Sequence, residues 1–258
     1  MLKLSEIQSF FPQSLHRFRQ FMLREYLQYK ILEIVYASGY ANFLCLLGGT
    51  CLRIVHGNQR FSEDLDFDNR GLKEEQFAEI ADIIKKQLER EGYDIEIKLV
   101  MRGAWHCYIK FPSLLFGEGI SDYKEEKILI QIDTEPQYYH FEPERVILNK
   151  FEVFTTILTV PMPLLLSQKF FAILNRSRKQ GRDFFDVVFL MSRGIQPDYG
   201  YLKVKVNIDD AATLKASILE ICQLLDMVKI SKDVEPFLFN SNDRQKVVQF
   251  TDYFRQSF

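Results

Sequence analysis

The chain has 258 residues, 47% hydrophobic and 26% charged, with 33 Lys and Arg against 35 Asp and Glu and a formal net charge of −2. That balance is ordinary for a globular protein of one large or two small domains, and it excludes one that coats nucleic acid through its overall field. Every apolar stretch meets a charge well before membrane-spanning length, and the start Met1-Leu2-Lys3-Leu4-Ser5-Glu6 lacks the basic-then-apolar pattern of a signal peptide, so a cytoplasmic protein without membrane contact is expected.

In chain order, residues 4–40 read as helical: Phe18, Phe21, Met22, Tyr26, Ile31, Ile34 and Val35 recur at three- and four-residue spacing. The apolar run 43–47 predicts a buried strand that ends at Gly48 and Gly49, followed by a short helix over 50–56 and a Gly57-Asn58-Gln59 turn. A second strand is expected at Asp64-Leu65-Asp66-Phe67, then a helix over 73–91. Further strands are expected at 94–100, 105–111, 127–133 and 153–159, with an extended segment near 145–148. Pro161 and Pro163 then punctuate the chain, and from Leu164 onward the pattern is helical apart from a polar connection over 195–207. The fold class that follows is α+β: a mixed-sheet core behind an N-terminal helix in residues 1–160, and a helical region in 161–258. Cys45, Cys51, Cys107 and Cys222 are scattered without C-x-x-C spacing or a nearby His pair, so reduced thiols are expected and neither disulfides nor zinc.

The chemistry concentrates in Leu47-Gly48-Gly49-Thr50 and in Arg60-Phe61-Ser62-Glu63-Asp64-Leu65-Asp66-Phe67-Asp68. Two glycines let backbone N–H groups approach a ligand, and the helix after them has unpaired N–H groups and a dipole that favours anions; Gly48, Gly49 and Thr50 are therefore candidate phosphate ligands. On a strand, the two-residue side-chain period sends Asp64 and Asp66 to one face. Paired carboxylates on a strand edge suit Mg²⁺, which prefers oxygen ligands and completes its shell with water and phosphate. Asp133, ending Ile128-Leu129-Ile130-Gln131-Ile132, is the third carboxylate candidate, where it could ligate metal and assist an attacking hydroxyl. Ser62 stands directly before the metal strand, as a candidate triphosphate contact.

Downstream, Lys169 and Arg176 lie seven residues apart on one helical face and point two cations the same way. A second helix opens with Gly181-Arg182-Asp183-Phe184-Phe185-Asp186, in which Arg182 is expected to pair with Asp186 at i,i+4. Between these helices, Arg176, Arg178, Lys179 and Arg182 form a cationic segment, a candidate contact for RNA phosphates or a solvated turn.

Taken together, G-G-T-x-L-R, R-x-S-x-D-L-D-F-D, the lysine helix and R-D-x-x-D resemble the AbiEii/AbiGii abortive-infection toxin family of nucleotidyltransferase-like proteins, over about Phe43 to Arg193. The resemblance implies a DNA-polymerase-β-like nucleotidyltransferase core with a helical C-terminal region. It also implies the toxin of a bacterial toxin–antitoxin pair, with a cognate antitoxin as partner and a nucleoside triphosphate used to modify the acceptor end of tRNA. It places the family's serine and aspartate on Ser62 and Asp64, its lysine on Lys169, and its last aspartate on Asp186 or Asp183. Asp66 and Asp133 match the general nucleotidyltransferase triad. The expected assignment is Mg²⁺ on Asp64, Asp66 and Asp133, triphosphate on Gly48, Gly49, Thr50, Ser62, Lys169 and Arg176, and Asp186 orienting its cationic neighbours. Three rivals stay open: transfer to a small hydroxylated molecule of the antibiotic type, a phosphotransferase or kinase on the same fold, and a non-enzymatic nucleotide-binding module.

Overall fold

A computed structural model describes all residues, Met1–Phe258, in two compact units. The first unit comprises Met1–Cys51, Ser62–Tyr138 and Pro143–Thr159, and carries helices α1 (Leu4–Gln8) and α2 (Arg19–Ala37), strand β1 (Leu44–Leu47) and the start of helix α3 (Gly48–Ile54). Strand β2 (Leu65–Asn69), helix α4 (Glu74–Arg90), strands β3 (Glu96–Met101) and β4 (Trp105–Phe111), helix α5 (Leu114–Gly117), and strands β5 (Ile128–Glu135), β6 (Glu144–Lys150) and β7 (Val153–Thr159) follow. Their seven strands make one sheet in the order β3-β4-β5-β2-β1-β7-β6. The pairs β2–β5 and β1–β7 are parallel and the others antiparallel, so the sheet is mixed as expected.

Alternation divides the sheet into a dry and a wetter face. Leu65 and Phe67 of β2, Cys107, Ile109 and Phe111 of β4, and Ile128, Ile130 and Ile132 of β5 are all buried, whereas Asp66, His106, Gln131 and Asp133 between them are only half-buried. Helix α4 supplies a matching stripe in Phe77, Ile80, Ala81, Ile84 and Leu88, spaced three, one, three and four apart. Helix α2 lies against β7 and β5 and buries charge as well as apolar bulk. Arg24 pairs with Glu63 at 2.9 Å, Glu25 with Lys150 at 2.8 Å and Lys30 with Glu91 at 3.1 Å, so each buried charge has the partner that its desolvation requires.

The second unit comprises Leu52–Phe61, Tyr139–Glu142 and Val160–Phe258. Its helices are α6 (Met162–Asn175), α7 (Gly181–Met191), α8 (Tyr199–Val206), α9 (Ala211–Gln223), α10 (Met227–Ser231), α11 (Gln245–Val248) and α12 (Phe250–Ser257). Phe170, Phe184, Phe185, Phe250 and Phe254 form its aromatic centre, with Phe184 and Phe250 edge to face at 4.9 Å. The expectation of a polar connection over 195–207 is corrected here. Asp198 accepts the Tyr201 N–H at 3.0 Å and caps α8, and Asn207 closes it at φ +57. A helix of YGYLKVKV, with a glycine and two β-branched residues, has little intrinsic propensity; its cap and the burial of Tyr201 and Leu202 hold it.

Candidate active site

In the first unit, β1 runs antiparallel to β2 with Leu47 opposite Asp66, so the chain turns out of β1 beside that carboxylate. Gly48 sits there at φ +74, and a Cβ on it would overlap Asp66 Oδ2 and come within 3.1 Å of Asp66 Cγ. Two independent constraints, a left-handed backbone and a carboxylate packed on the main chain, thus require glycine. Gly48→Ala should cost about 1–3 kcal/mol from backbone conformation alone and displace Asp66 besides. Thermal unfolding together with activity measures this, and a variant unchanged in both would refute the close approach.

Helix α3 begins at Gly48 rather than at Thr50, which puts Thr50 inside its first turn, and the Thr50 hydroxyl donates to the Asp64 carbonyl. That bond ties the glycine turn to the segment carrying the carboxylates. From the other side, the buried Gln28 of α2 donates to the carbonyls of Ser62 at 3.1 Å and Glu63 at 2.9 Å. Ser62 and Asp64 are therefore held through their backbones, immediately ahead of β2.

Strand order brings the third carboxylate in. The parallel register of β2 and β5 makes Asp66 and Asp133 direct partners, and cross-strand partners project from the same face. Asp133 is in turn opposite His106 of β4. Its Oδ1 accepts the His106 Nδ1–H at 2.6 Å and the Gln131 amide at 2.7 Å. Asp68, one alternation beyond Asp66, is buried and accepts the Gln137 backbone N–H at 2.8 Å, which makes it an anchor for the chain leaving β5.

The structure gathers no group of three His, Cys, Asp or Glu side chains into a set that could by itself hold a metal ion. Mg²⁺ usually takes only one or two carboxylates and completes its octahedron with water and substrate phosphates. Asp66 and Asp133 on adjacent strands, with Asp66 packed on a glycine turn, fit that mode of binding, with Asp64 two residues before Asp66.

In the second unit the remaining predicted residues form an ion-pair cluster. Arg60 grips Asp186 with two bonds, Nε to Oδ1 at 2.8 Å and Nη2 to Oδ2 at 2.7 Å, and both side chains are at most 2% exposed. Asn58 adds a third bond to Oδ1 at 2.8 Å. Lys169 reaches Asp186 at 2.8 Å and Asp183 at 3.0 Å, and Arg176 reaches Asp183 at 2.6 Å. Burial opposes the charge on Asp186, but Arg60 and Lys169 outweigh it and hold the carboxyl at about 2. Burial likewise opposes the ammonium of Lys169, and the carboxylates of Asp186 and Asp183 more than offset it, raising its pKa. Two expectations change accordingly. The guanidinium on Asp186 belongs to Arg60, 126 residues away, while Arg182 lies over the Phe237 ring. The cationic segment is also partly turned inward: Lys179 donates to the carbonyls of Leu174 and Arg176 at the end of α6.

Of these residues, Gln28, Asn58, His106 and Gln131 carried no assignment from sequence. His106 and Gln131 share the strand parity of the exposed face, but that parity does not reveal which strands are neighbours.

Two crystal structures from Helicobacter pylori share this fold. One is JHP933, at 16% identity and TM-score 0.56, with 92% of each chain covered. The other, described as a candidate nucleotidyltransferase, has the same identity and TM-score over 92% of this chain and 95% of its own. No curated protein matches. Residues 30–231 match the model of the nucleotidyl transferase AbiEii toxin family of type IV toxin–antitoxin systems. With that match running from within α2 to the end of α10, through both carboxylate strands and the Arg60–Asp186 pair, the chain belongs to the AbiEii nucleotidyl transferase toxin family.

Proposed function

We propose that this chain is a Mg²⁺-dependent toxin that transfers a nucleoside monophosphate from a nucleoside triphosphate to the acceptor end of tRNA, in the cytoplasm, under the control of a cognate antitoxin. The observation that carries this reading is the pairing of Asp66 with Asp133 beside the Gly48 turn. A donor oxygen and an acceptor oxygen must be held on either side of one phosphorus in such a transfer, and carboxylates on neighbouring strands provide two anchoring points. The acceptor hydroxyl forms a bond to the α-phosphorus, the bond from that phosphorus to the bridging oxygen breaks, and pyrophosphate leaves. Bound Mg²⁺ supplies positive charge to the phosphoryl oxygens and the leaving group.

The chain's own groups do the rest. The N–H groups of Gly48, Gly49 and Thr50 orient the triphosphate, with Ser62 alongside, while Asp64, Asp66 and Asp133 would hold the metal. Asp133 orients the acceptor hydroxyl and takes its proton. Lys169, Arg176 and Asp186 are assigned to the reaction on the family motif; Asp186, fixed by Arg60 and Asn58, keeps Lys169 charged and in place.

Incubation with Mg²⁺, total tRNA and each nucleoside triphosphate labelled at either the α- or the γ-phosphate tests the proposal. Label from the α-position should appear on tRNA, lost when EDTA is added. Transfer of γ-label instead would make the protein a kinase, α-label found only on small hydroxylated molecules would make it an antibiotic-type transferase, and nucleotide binding without transfer a binding module.

A further inference from the structure

We propose that His106 is a positioning residue that fixes the rotamer of Asp133 and, with Gln131, divides the labour between its two carboxylate oxygens. The inference rests on the nucleotidyltransferase reading of Asp66 and Asp133, and it concerns residues that neither the family motif nor the sequence pattern singles out. His106 and Asp133 are Cα partners across β4 and β5, so their side chains leave the sheet side by side. A carboxylate only accepts, so the hydrogen between them sits on His106 Nδ1, and the contact of 2.6 Å is short even for a charge-assisted bond. The Gln131 amide, two residues along the same strand face, donates to the same oxygen at 2.7 Å.

Both donors converge on Oδ1. Oδ2 is thereby the oxygen presented to ligand, and the carboxylate cannot rotate to exchange the two without breaking two hydrogen bonds. A Mg²⁺ ion demands near-ideal octahedral geometry, so an acceptor-side carboxylate locked in this way defines where the ion and the hydroxyl sit before substrate arrives. Donors behind a ligating group commonly change metal affinity or activity by about 10–100-fold when removed. His106 is about a quarter exposed, and beyond this bond its ring meets the Gln131 amide at 3.4 Å and the Tyr108 ring at 6.1 Å between centroids, surroundings that suit a residue that tunes the site.

Three substitutions separate positioning from mere bulk. His106→Asn places an amide N–H on Cγ, where Nδ1 stood; His106→Gln places its amide one bond further, where Nε2 stood; His106→Ala removes both. Binding of Mn²⁺ to the nucleotide-free protein, followed by water-proton relaxation, should weaken by about tenfold in His106→Ala and His106→Gln and stay within twofold of wild type in His106→Asn. In the transfer assay kcat should fall by about tenfold or more in the same two variants while KM for the nucleoside triphosphate stays within twofold, and Asn should restore it. Equal Mn²⁺ affinity in all four proteins, or loss in Asn equal to that in Ala, would overturn the proposal. If wild type transfers no label to any acceptor, the nucleotidyltransferase reading fails, and the Mn²⁺ series still decides whether His106 positions Asp133.

Discussion

Asp66→Asn should lower nucleotidyl transfer by about three orders of magnitude or more, roughly 4 kcal/mol of transition-state stabilisation, while the protein stays folded. The substitution keeps the shape of the side chain, so it still fits against the Gly48 turn, where any added atom would collide. What it removes is the negative charge through which a strand-edge carboxylate holds a divalent cation. The same change at Asp133 should act on the acceptor side of the reaction. Because Asp66 and Asp133 are direct partners across parallel strands, their losses should be strongly non-additive: once either anchoring point is gone the other has little left to hold. Rates, melting temperature and triphosphate affinity for both single variants and the double variant make the comparison. Transfer within tenfold of wild type in Asp66→Asn would remove the site from β2, whatever else the protein does.

The second large effect concerns stability. Asp186→Ala should destabilise the second unit by about 3–5 kcal/mol, since it leaves the guanidinium of the buried Arg60 with its main counter-charge removed and takes one of two carboxylates from Lys169. Urea unfolding at neutral pH measures it, and a loss below about 1 kcal/mol would mean that water or a rearranged neighbour replaces the carboxylate. The wild-type cluster has a pH signature of its own. With the Asp186 carboxyl held at about 2 against an ordinary 3.8, its contribution is complete above about pH 4 and is lost as pH falls through 2. Asp186→Ala should therefore be flatter than wild type over that acid interval and offset from it by a constant amount above it.

The stretches most legible in sequence are those whose evidence is consecutive. Residues 105–111 and 153–159 form strands with the bounds that alternation predicts, and the glycine turn with its following carboxylates sits on one strand–turn–helix–strand path. Asp133 was legible only as a polar strand end. Its meaning comes from β5 lying next to β2, although α4 and the β3–β4 hairpin stand between the two strands in the chain. Arg60 and Asp186 illustrate the same limit. Helical spacing supplied Asp186 with a local partner in Arg182, but a planar guanidinium arriving from Arg60 satisfies both carboxylate oxygens at once, and no periodicity encodes that approach. His106 was invisible for a third reason. A single histidine in an alternating strand has no signature until the residue opposite it is known.

The position of Gln28 bears on where this protein can be cut. Family similarity begins at residue 30, two positions after the amide that holds the carbonyls of Ser62 and Glu63. A fragment trimmed to the similar stretch would also take Arg24 away from Glu63 and Glu25 away from Lys150. The recognisable portion of the sequence is thus shorter than the portion that must fold together, and the helix that sequence comparison only grazes is part of the mould in which the carboxylate strand is set.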